Sequence, residues 1–249
     1  MTYVIISNQQ ITATIWKMVL SGDVSAFSAP GQFVNIELPD KFLRRPVSVC
    51  DIDFVKNEIT LIYKVVGAGT LQISQTQKGE KLDLLTGLGN GFDINIEIKS
   101  PLIIGGGVGC PPLYYLAKCL IIKNLHPKIV LGFNNKEEIF LKNEFEQLGL
   151  QVFVSTIDGS FGTKGFVTDA ISENVLSFDY YFTCGPLPML KTIHSTLKTN
   201  GQLSFEERMG CGFGGCMGCS CKTKNGYKRV CTDTILRSEE VFFDEFNFG

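Results

Sequence analysis

Cys211, Cys216, Cys219 and Cys231 stand close together near the C-terminus, and the first three follow C-x4-C-x2-C. Thiols at such spacing can ligate iron, ligate zinc or pair as disulfides. Gly210, Gly212, Gly214, Gly215 and Gly218 are interleaved with them. Glycine admits positive φ, so a loop this rich in it can wrap a cluster and aim backbone amides at sulfur. C-x4-C-x2-C followed by a distant fourth cysteine is a [2Fe–2S] spacing. Structural zinc sites prefer paired C-x2-C knuckles, often with His, whereas this run has one x2 pair and no His nearby. The chain has nine cysteines, an odd number, and reducing compartments disfavour disulfides. The residues therefore favour [2Fe–2S] over zinc, and either metal over a staple. Cys221, on the strand-like "CSCKT", reads as a buried neighbour of the site.

A second chemistry-bearing stretch is "GGGVGCPPL", with Gly105, Gly106, Gly107 and Gly109. A glycine turn between a strand and a helix lets the backbone approach a pyrophosphate, and the helix N-terminus favours the anion. Two features depart from the G-x-G-x-x-G fingerprint. Pro112 occupies the third glycine position, and "KIVLGFNNK" offers Asn134 and Asn135 where an acidic residue is expected. No arginine lies there to hold a 2′-phosphate, which leans towards NAD over NADP. Cys50, Cys110 and Cys119 read as core residues, His126 as a loop residue and His194 as a helix-surface residue. Acid–base machinery is sparse, with two scattered His and no evident carboxylate pair.

The elements that position these stretches follow from periodicity. Residues up to about Ile98 read as strands, with runs such as "FVNIELP", "PVSVCDI" and "ITLIYKVV" separated by Pro, Gly, Asp and Asn. From Ser100 the pattern alternates: strand "PLIIGGGVG", helix "PPLYYLAKCLIIKN", strand "KIVLGF", helix "EEIFLKNEFEQLG", strand "QVFVSTI", a helix near "GFVTDAIS" and strand "YYFTCG". That alternation predicts a parallel sheet with helices on both faces. The expected organisation is an antiparallel β-barrel over 1–98, a parallel α/β domain over 99–200 and a small Cys-rich domain over 201–249. The 249 residues are 44% hydrophobic with a formal net charge of −2, which points to no nucleic-acid or membrane partner. With no signal-like start and no apolar run of spanning length, a cytoplasmic protein is expected.

"LRRPVSV", "YKVVGAGT", "GLGNGF", "GGGVGCPPLYYLAK", "STIDGSFGTKGFVTD", "CGPLPML" and "ERMGCGFGGCMGC" occur in that order. In order and content the chain resembles, over nearly its whole length, the iron–sulfur electron-transfer subunits of NAD-dependent dihydroorotate dehydrogenases, within the ferredoxin reductase superfamily. The resemblance implies FAD held by Arg45, Pro46, Val47 and Ser48, with Arg45 on the pyrophosphate and Ser48 at the isoalloxazine edge. Ile62, Tyr63, Lys64, Gly69 and Thr70 would complete that site. Gly105, Gly106, Gly107 and Gly109, with Cys184, Gly185 and Pro186, would receive NAD, Cys184 near the nicotinamide. Cys211, Cys216, Cys219 and Cys231 would hold the cluster. No catalytic residue is certain; Ser48 and Cys184 are the candidates.

The implied partner is an FMN-containing catalytic subunit in a heterotetramer of two plus two. Electrons would pass from its FMN through [2Fe–2S] and FAD to NAD+ in pyrimidine biosynthesis. Alternatives are a flavin/iron–sulfur subunit serving a ferredoxin:NADP+ reductase, a sulfide dehydrogenase or a hydrogenase, and a zinc-stabilised nucleotide sensor. This chain departs from the resemblance in three places. Val47 stands where many ferredoxin reductases carry a flavin-stacking Tyr, and the loop from Cys219 to Cys231 is short. After Cys231 it reads "CTDTILRSEEVFF" in place of C-x-D-G-P-x-F.

Overall fold

In the computed structural model, which describes residues 1–243, the first strands are β1 (Thr2–Gln10), β2 (Ile15–Ser21), β3 (Phe33–Ile36), β4 (Arg45–Asp53), β5 (Glu58–Lys64) and β6 (Lys81–Leu88). One short helix, α1 (Ala68–Ser74), links β5 to β6. The strands close into an antiparallel barrel in the order β1-β2-β5-β4-β3-β6. Closure leaves no free sheet edge. Val34, Ile36, Val47, Val49 and Leu61 are among the side chains that fill its interior.

Alternation along β4 decides which residues can meet a ligand. Val47 and Val49 are buried, while Pro46 is exposed and Ser48 half-buried, so Pro46 and Ser48 face outwards. Register pairs Asn35 with Pro46 and Phe33 with Ser48. Directly opposed residues share a face, so Phe33 and Asn35 of β3 join Pro46 and Ser48 on the outer surface.

The next elements are β7 (Pro101–Gly106), α2 (Pro111–Ile122), β8 (Lys128–Phe133), α3 (Lys142–Gln147), β9 (Val152–Thr156), β10 (Thr163–Lys164), α4 (Val167–Glu173), β11 (Tyr180–Cys184), α5 (Leu187–Thr196) and β12 (Gly201–Ser204). A hairpin of β13 (Ser220–Thr223) and β14 (Gly226–Arg229) follows, then β15 (Ile235–Arg237). Seven strands form one sheet in the order β10-β9-β8-β7-β11-β12-β15. Its pairings are parallel except for β15, which runs antiparallel to β12. The Cys-rich segment is thus stitched into the α/β sheet by β12 on one side and β15 on the other.

Helices cover both faces, as the alternating pattern predicts. Leu113, Leu116 and Leu120 of α2 and Phe145 of α3 pack on one face; Ala170 of α4 and Leu190 and Ile193 of α5 pack on the other. Each such fully buried Leu, Ile or Phe side chain stabilises the fold by about 2 kcal/mol. The barrel joins this core through Ile15, Cys50 and Ile62, and Lys118 Nζ on α2 lies 2.6 Å from Asp51 Oδ1 on β4. The helix expected over "EEIFLKNEFEQLG" is shorter than its pattern. Leu141 adopts φ 62°, which ends the preceding turn and lets Phe140 pack edge-on against Phe133 at 5.6 Å. Among the described residues no helix is long and apolar enough to cross a membrane.

Candidate functional site

A cavity of about 550 Å³ opens where β7, β8 and β11 end. Gly106, Gly107 and Gly109 form one wall, Gly185 and Pro186 another, and Lys64 reaches in from the barrel. The glycines are required by space. A Cβ at Gly109 would stand 2.5 Å from the Cys184 carbonyl oxygen and 2.6 Å from Gly185 N, backbone atoms that cannot swing aside. Pro111 and Pro112 open α2 behind the loop, positions where a missing N–H deprives the helix of nothing. Ser155 Oγ, beside the cavity, is buried without a partner, which suits a polar ligand.

Two expected nucleotide residues stand next to the cavity without lining it. Gly105 packs against Cys110 and Leu113 rather than lining the cavity. Cys184 is only 2% exposed. Burial first, then the neighbouring Glu206 carboxylate, pushes its thiol up to about 12, so it is a neutral wall residue behind Gly185.

Around the barrel's outer face, Arg45 is braced by hydrogen bonds from Nη1 to the carbonyls of Leu43 and Arg44. Gly69 lets its guanidinium lie against the start of α1, since a Cβ there would collide with Arg45 Nε. Among the described residues Arg45 has no carboxylate partner, so the fold leaves this cation available to an anion. Thr70 Oγ1 accepts from the amides of Val66 and Gly67 and so shapes the turn itself. Val47 and Tyr63 face the barrel interior. Tyr63 donates to Asn8 Oδ1 at 2.9 Å, and burial raises its hydroxyl to about 12. Ile62 lies in the core shared with α2. An open Pro46–Ser48 face beside a braced, unpaired arginine suits a flavin and its pyrophosphate.

The cysteine lobe carries few regular elements. Gly212 and Gly214 adopt φ of 79° and 88°, and Met217 adopts 62°. Cys211 Sγ accepts from the amides of Gly215 at 3.2 Å and Cys216 at 3.4 Å; Cys219 Sγ accepts from Cys231 N at 3.4 Å. Burial opposes ionisation of Cys211, but amides of Cys216, Phe213 and Gly215 directed at it hold the thiol down at about 6. Burial and then the adjoining Cys219 raise Cys231 to about 12. Cys221 is also buried, on β13, and burial followed by Asp233 lifts it to about 11. Among the described residues no three metal-ligating side chains converge as a cage for a single ion. A [2Fe–2S] cluster does not ask for one, since its four thiolates divide between two irons. Amides already aimed at Cys211 and Cys219 suit sulfur ligands of such a group.

Two cavity residues escape sequence reasoning. Glu206 lines the cavity with its side chain exposed to it, and the protein packed around the site raises its carboxyl. Glu138, four residues past Asn134, also lines the cavity, and its Oε2 accepts from Asn134 Nδ2 at 2.8 Å. An acid thus lines the cavity one turn beyond the end of β8, where the strand end itself offers Asn134 and Asn135. His194 differs from the surface position expected for it: Nε2 lies 2.9 Å from the Ser238 carbonyl oxygen, and the ring packs on Phe243.

Comparison with known proteins agrees with this anatomy. Residues 206–233 match the iron–sulfur cluster binding domain of dihydroorotate dehydrogenase B, and residues 103–195 match the oxidoreductase NAD-binding domain. The chain is similar to the dihydroorotate dehydrogenase B (NAD(+)) electron transfer subunit of Fusobacterium nucleatum, 45% identical over 238 residues and covering 91% of this chain and 92% of that one. Its counterpart from Bacillus pumilus is 43% identical, covering 95% and 96%. A chain in the structure of the NADH-dependent reduced ferredoxin-NADP oxidoreductase superposes with a TM-score of 0.88 at 31% identity, covering 98% of this chain and 90% of that one. Phthalate dioxygenase reductase, at TM-score 0.68 and 18% identity over 93% and 77%, shares the fold. On the strength of identity above 40% across nearly the whole chain, this protein belongs to the family of dihydroorotate dehydrogenase B (NAD(+)) electron transfer subunits.

Proposed function

We propose that the chain relays electrons from a dihydroorotate-oxidising, FMN-containing partner subunit to NAD+, in a cytoplasmic assembly of two catalytic and two electron-transfer subunits. Bound FAD supplies the conversion between the two-electron hydride of a nicotinamide and the single electrons that a [2Fe–2S] cluster accepts. Arg45, beside Gly69, takes the flavin pyrophosphate, and Pro46 and Ser48 present the strand edge to the ring. Gly106, Gly107 and Gly109 let the NAD pyrophosphate approach the loop before α2, while Gly185 and Pro186 floor the nicotinamide end. Cys211, Cys216, Cys219 and Cys231 ligate the cluster.

The observation that carries the reading is the placement of the barrel's outer face. Lys64, at the end of β5, reaches the nucleotide cavity. Phe33, paired with Ser48, shares an apolar core with Cys219 and Cys231. One flavin face thus lies between a nucleotide site and a thiol site, as a relay needs. No proton-transfer group is required of the chain.

The test is a visible spectrum of the tagged chain, purified anaerobically from its host with whatever accompanies it. Bleaching of flavin and cluster bands by dihydroorotate, and in a separate sample by NADH, is the expected result. Bleaching by NADH alone would reassign the partner, towards the ferredoxin-NADP oxidoreductase type that the 31% identical chain represents. A colourless, iron-free protein would end the relay reading.

A further inference from the structure

We infer that Asn35 is the positioning residue that ties the flavin-facing strand of the barrel to the turn carrying the first cluster cysteine. The inference rests on the relay reading above and adds a residue to it.

Asn35 is an amide in the middle of "FVNI", a strand buried throughout, and is itself 1% exposed. Val34 and Ile36 on either side point into the barrel, so Asn35 points out, alongside Pro46. Its Nδ2 donates to the Cys211 carbonyl oxygen at 3.4 Å, across 176 positions of sequence. The next residue, Gly212, has φ 79°, and a Cβ there would strike Asn35 Nδ2. The cysteine turn is therefore shaped to seat on this amide. The seat is itself braced: Arg44 Nη1 donates to the Asn35 carbonyl oxygen at 3.4 Å, while the same guanidinium pairs with Glu37 at 2.8 Å and Asp83 at 2.6 Å.

Packing alone does not account for the residue. Asn35 Oδ1 is buried without a partner, and an unpaired buried oxygen is unfavourable. Leucine would fill the space without that penalty. Turning the amide over would set its oxygen against the Cys211 carbonyl, so the observed orientation is the one that makes a hydrogen bond. A polar group kept at this place holds the peptide of one ligand at a set distance from the Pro46–Ser48 face. Outer-shell hydrogen bonds of this kind tune a metal site as well as fix it.

The test compares Asn35→Leu and Asn35→Asp with the parent chain, each in the complete complex with its partner and handled anaerobically. Asparagine and aspartate are isosteric, but burial raises a carboxyl, so the variants are compared at about pH 9, where Asn35→Asp is ionised and preserves shape while removing the donor and adding negative charge. Three readouts apply: the electron paramagnetic resonance line shape after dithionite reduction, the cluster midpoint potential, and separate stopped-flow rates of flavin and cluster bleaching by NADH. In both variants flavin bleaching keeps its rate, cluster bleaching slows about tenfold, equivalent to 1.4 kcal/mol of barrel-to-lobe coupling, and the line shape changes. Asn35→Asp also moves the potential negative, because a nearby carboxylate opposes an added electron. Iron loss with full flavin content in either variant points the same way. Parental line shape, potential and rates in both variants would overturn the inference, as would flavin loss with an undisturbed cluster. Failure of the parent chain to bleach with NADH would instead overturn the relay reading, and the dithionite spectra would still report on Asn35.

Discussion

In the cavity at the ends of β7, β8 and β11, one wall is backbone, that of Gly106, Gly107, Gly109 and Gly185, and the strand leading into it, β7, is buried throughout. In the cysteine lobe the ligand-facing groups are side-chain sulfurs, carried on a loop whose backbone amides turn inwards to meet them. That wall of the first site is shaped by absence of side chains, and the sheet sets it. The second depends on the side chains for both binding and local order. The two sites therefore differ in what one substitution destroys, and the difference can be measured.

The largest effect is expected in the lobe. Cys231→Ser and Cys219→Ser place a hydroxyl where the thiols are 1% and 3% exposed, at about 1–3 kcal/mol for an unpaired polar group. Both should lose the cluster, by iron assay, and also lower the melting temperature of the iron-free chain by about 2–10 °C. Cys216 is exposed, so Cys216→Ser should lose iron while the iron-free chain melts as before. Equal melting for all three would erase the contrast between a buried and an exposed pole of the site.

The cavity should respond without loss of flavin or iron, through weaker nucleotide binding and a lower melting temperature. Gly109→Ala forces a methyl against the Cys184 carbonyl oxygen and Gly185 N, an overpacking of about 1–3 kcal/mol. With an artificial electron acceptor, KM for NADH should rise about tenfold to hundredfold. Flavin and iron content should stay at parental values. Loss of iron in this variant would show that the two regions are not separable.

Glu138 sharpens the comparison, because here the cavity relies on a side chain. Its carboxylate, held by Asn134 Nδ2, lines the cavity, and there it would accept from the ribose hydroxyls of a bound dinucleotide and repel a 2′-phosphate. Glu138→Gln weakens a hydrogen bond from a charged acceptor, about 1.5–3 kcal/mol. KM for NADH should rise about tenfold and the preference over NADPH should shrink. An unchanged NADH-to-NADPH ratio would remove Glu138 from the nucleotide site.

What the sequence disclosed follows the same division. Strand β7 and helix α2 were legible because "PLIIGGGVG" and "PPLYYLAKCLIIKN" carry their own period and start signal, and the observed elements match them. The cysteine spacing was legible because ligand chemistry constrains a short loop directly. Contacts between distant segments were not. Pairing of β12 with β15 joins Ser204 to Ile235 around the cysteine lobe, and no local pattern in either three- or four-residue strand announces it. Glu138 was missed because a 3₁₀ turn capped by Asn135 carries it one turn beyond the strand end, and sequence spacing alone does not count turns. Tyr63 and Val47 illustrate a third limit. The resemblance implied that both line FAD, and strand alternation turns both side chains into the barrel, so only their backbones remain to face a ligand.

The smallest expected effect concerns Glu206, the cavity residue nearest the start of the cysteine run. Protein walls raise its carboxyl above the ordinary carboxylate value, so the folded chain holds the proton more firmly than the unfolded chain does. Below the ordinary value both states are protonated and Glu206 is neutral to stability. As pH climbs through the raised value the folded state must ionise a carboxyl that is partly desolvated although exposed to the cavity, and stability falls slightly relative to a chain lacking it. Glu206→Gln should therefore match the parent in denaturant midpoint at about pH 4 and exceed it slightly at about pH 8, because the cavity side of the residue remains open to water. A midpoint difference of the same size at both ends would mean that the substitution acts through packing. Bound NAD+ should narrow the gap at high pH if its positively charged ring lies against Glu206, which would place the nicotinamide end of the cavity at the start of the cysteine lobe.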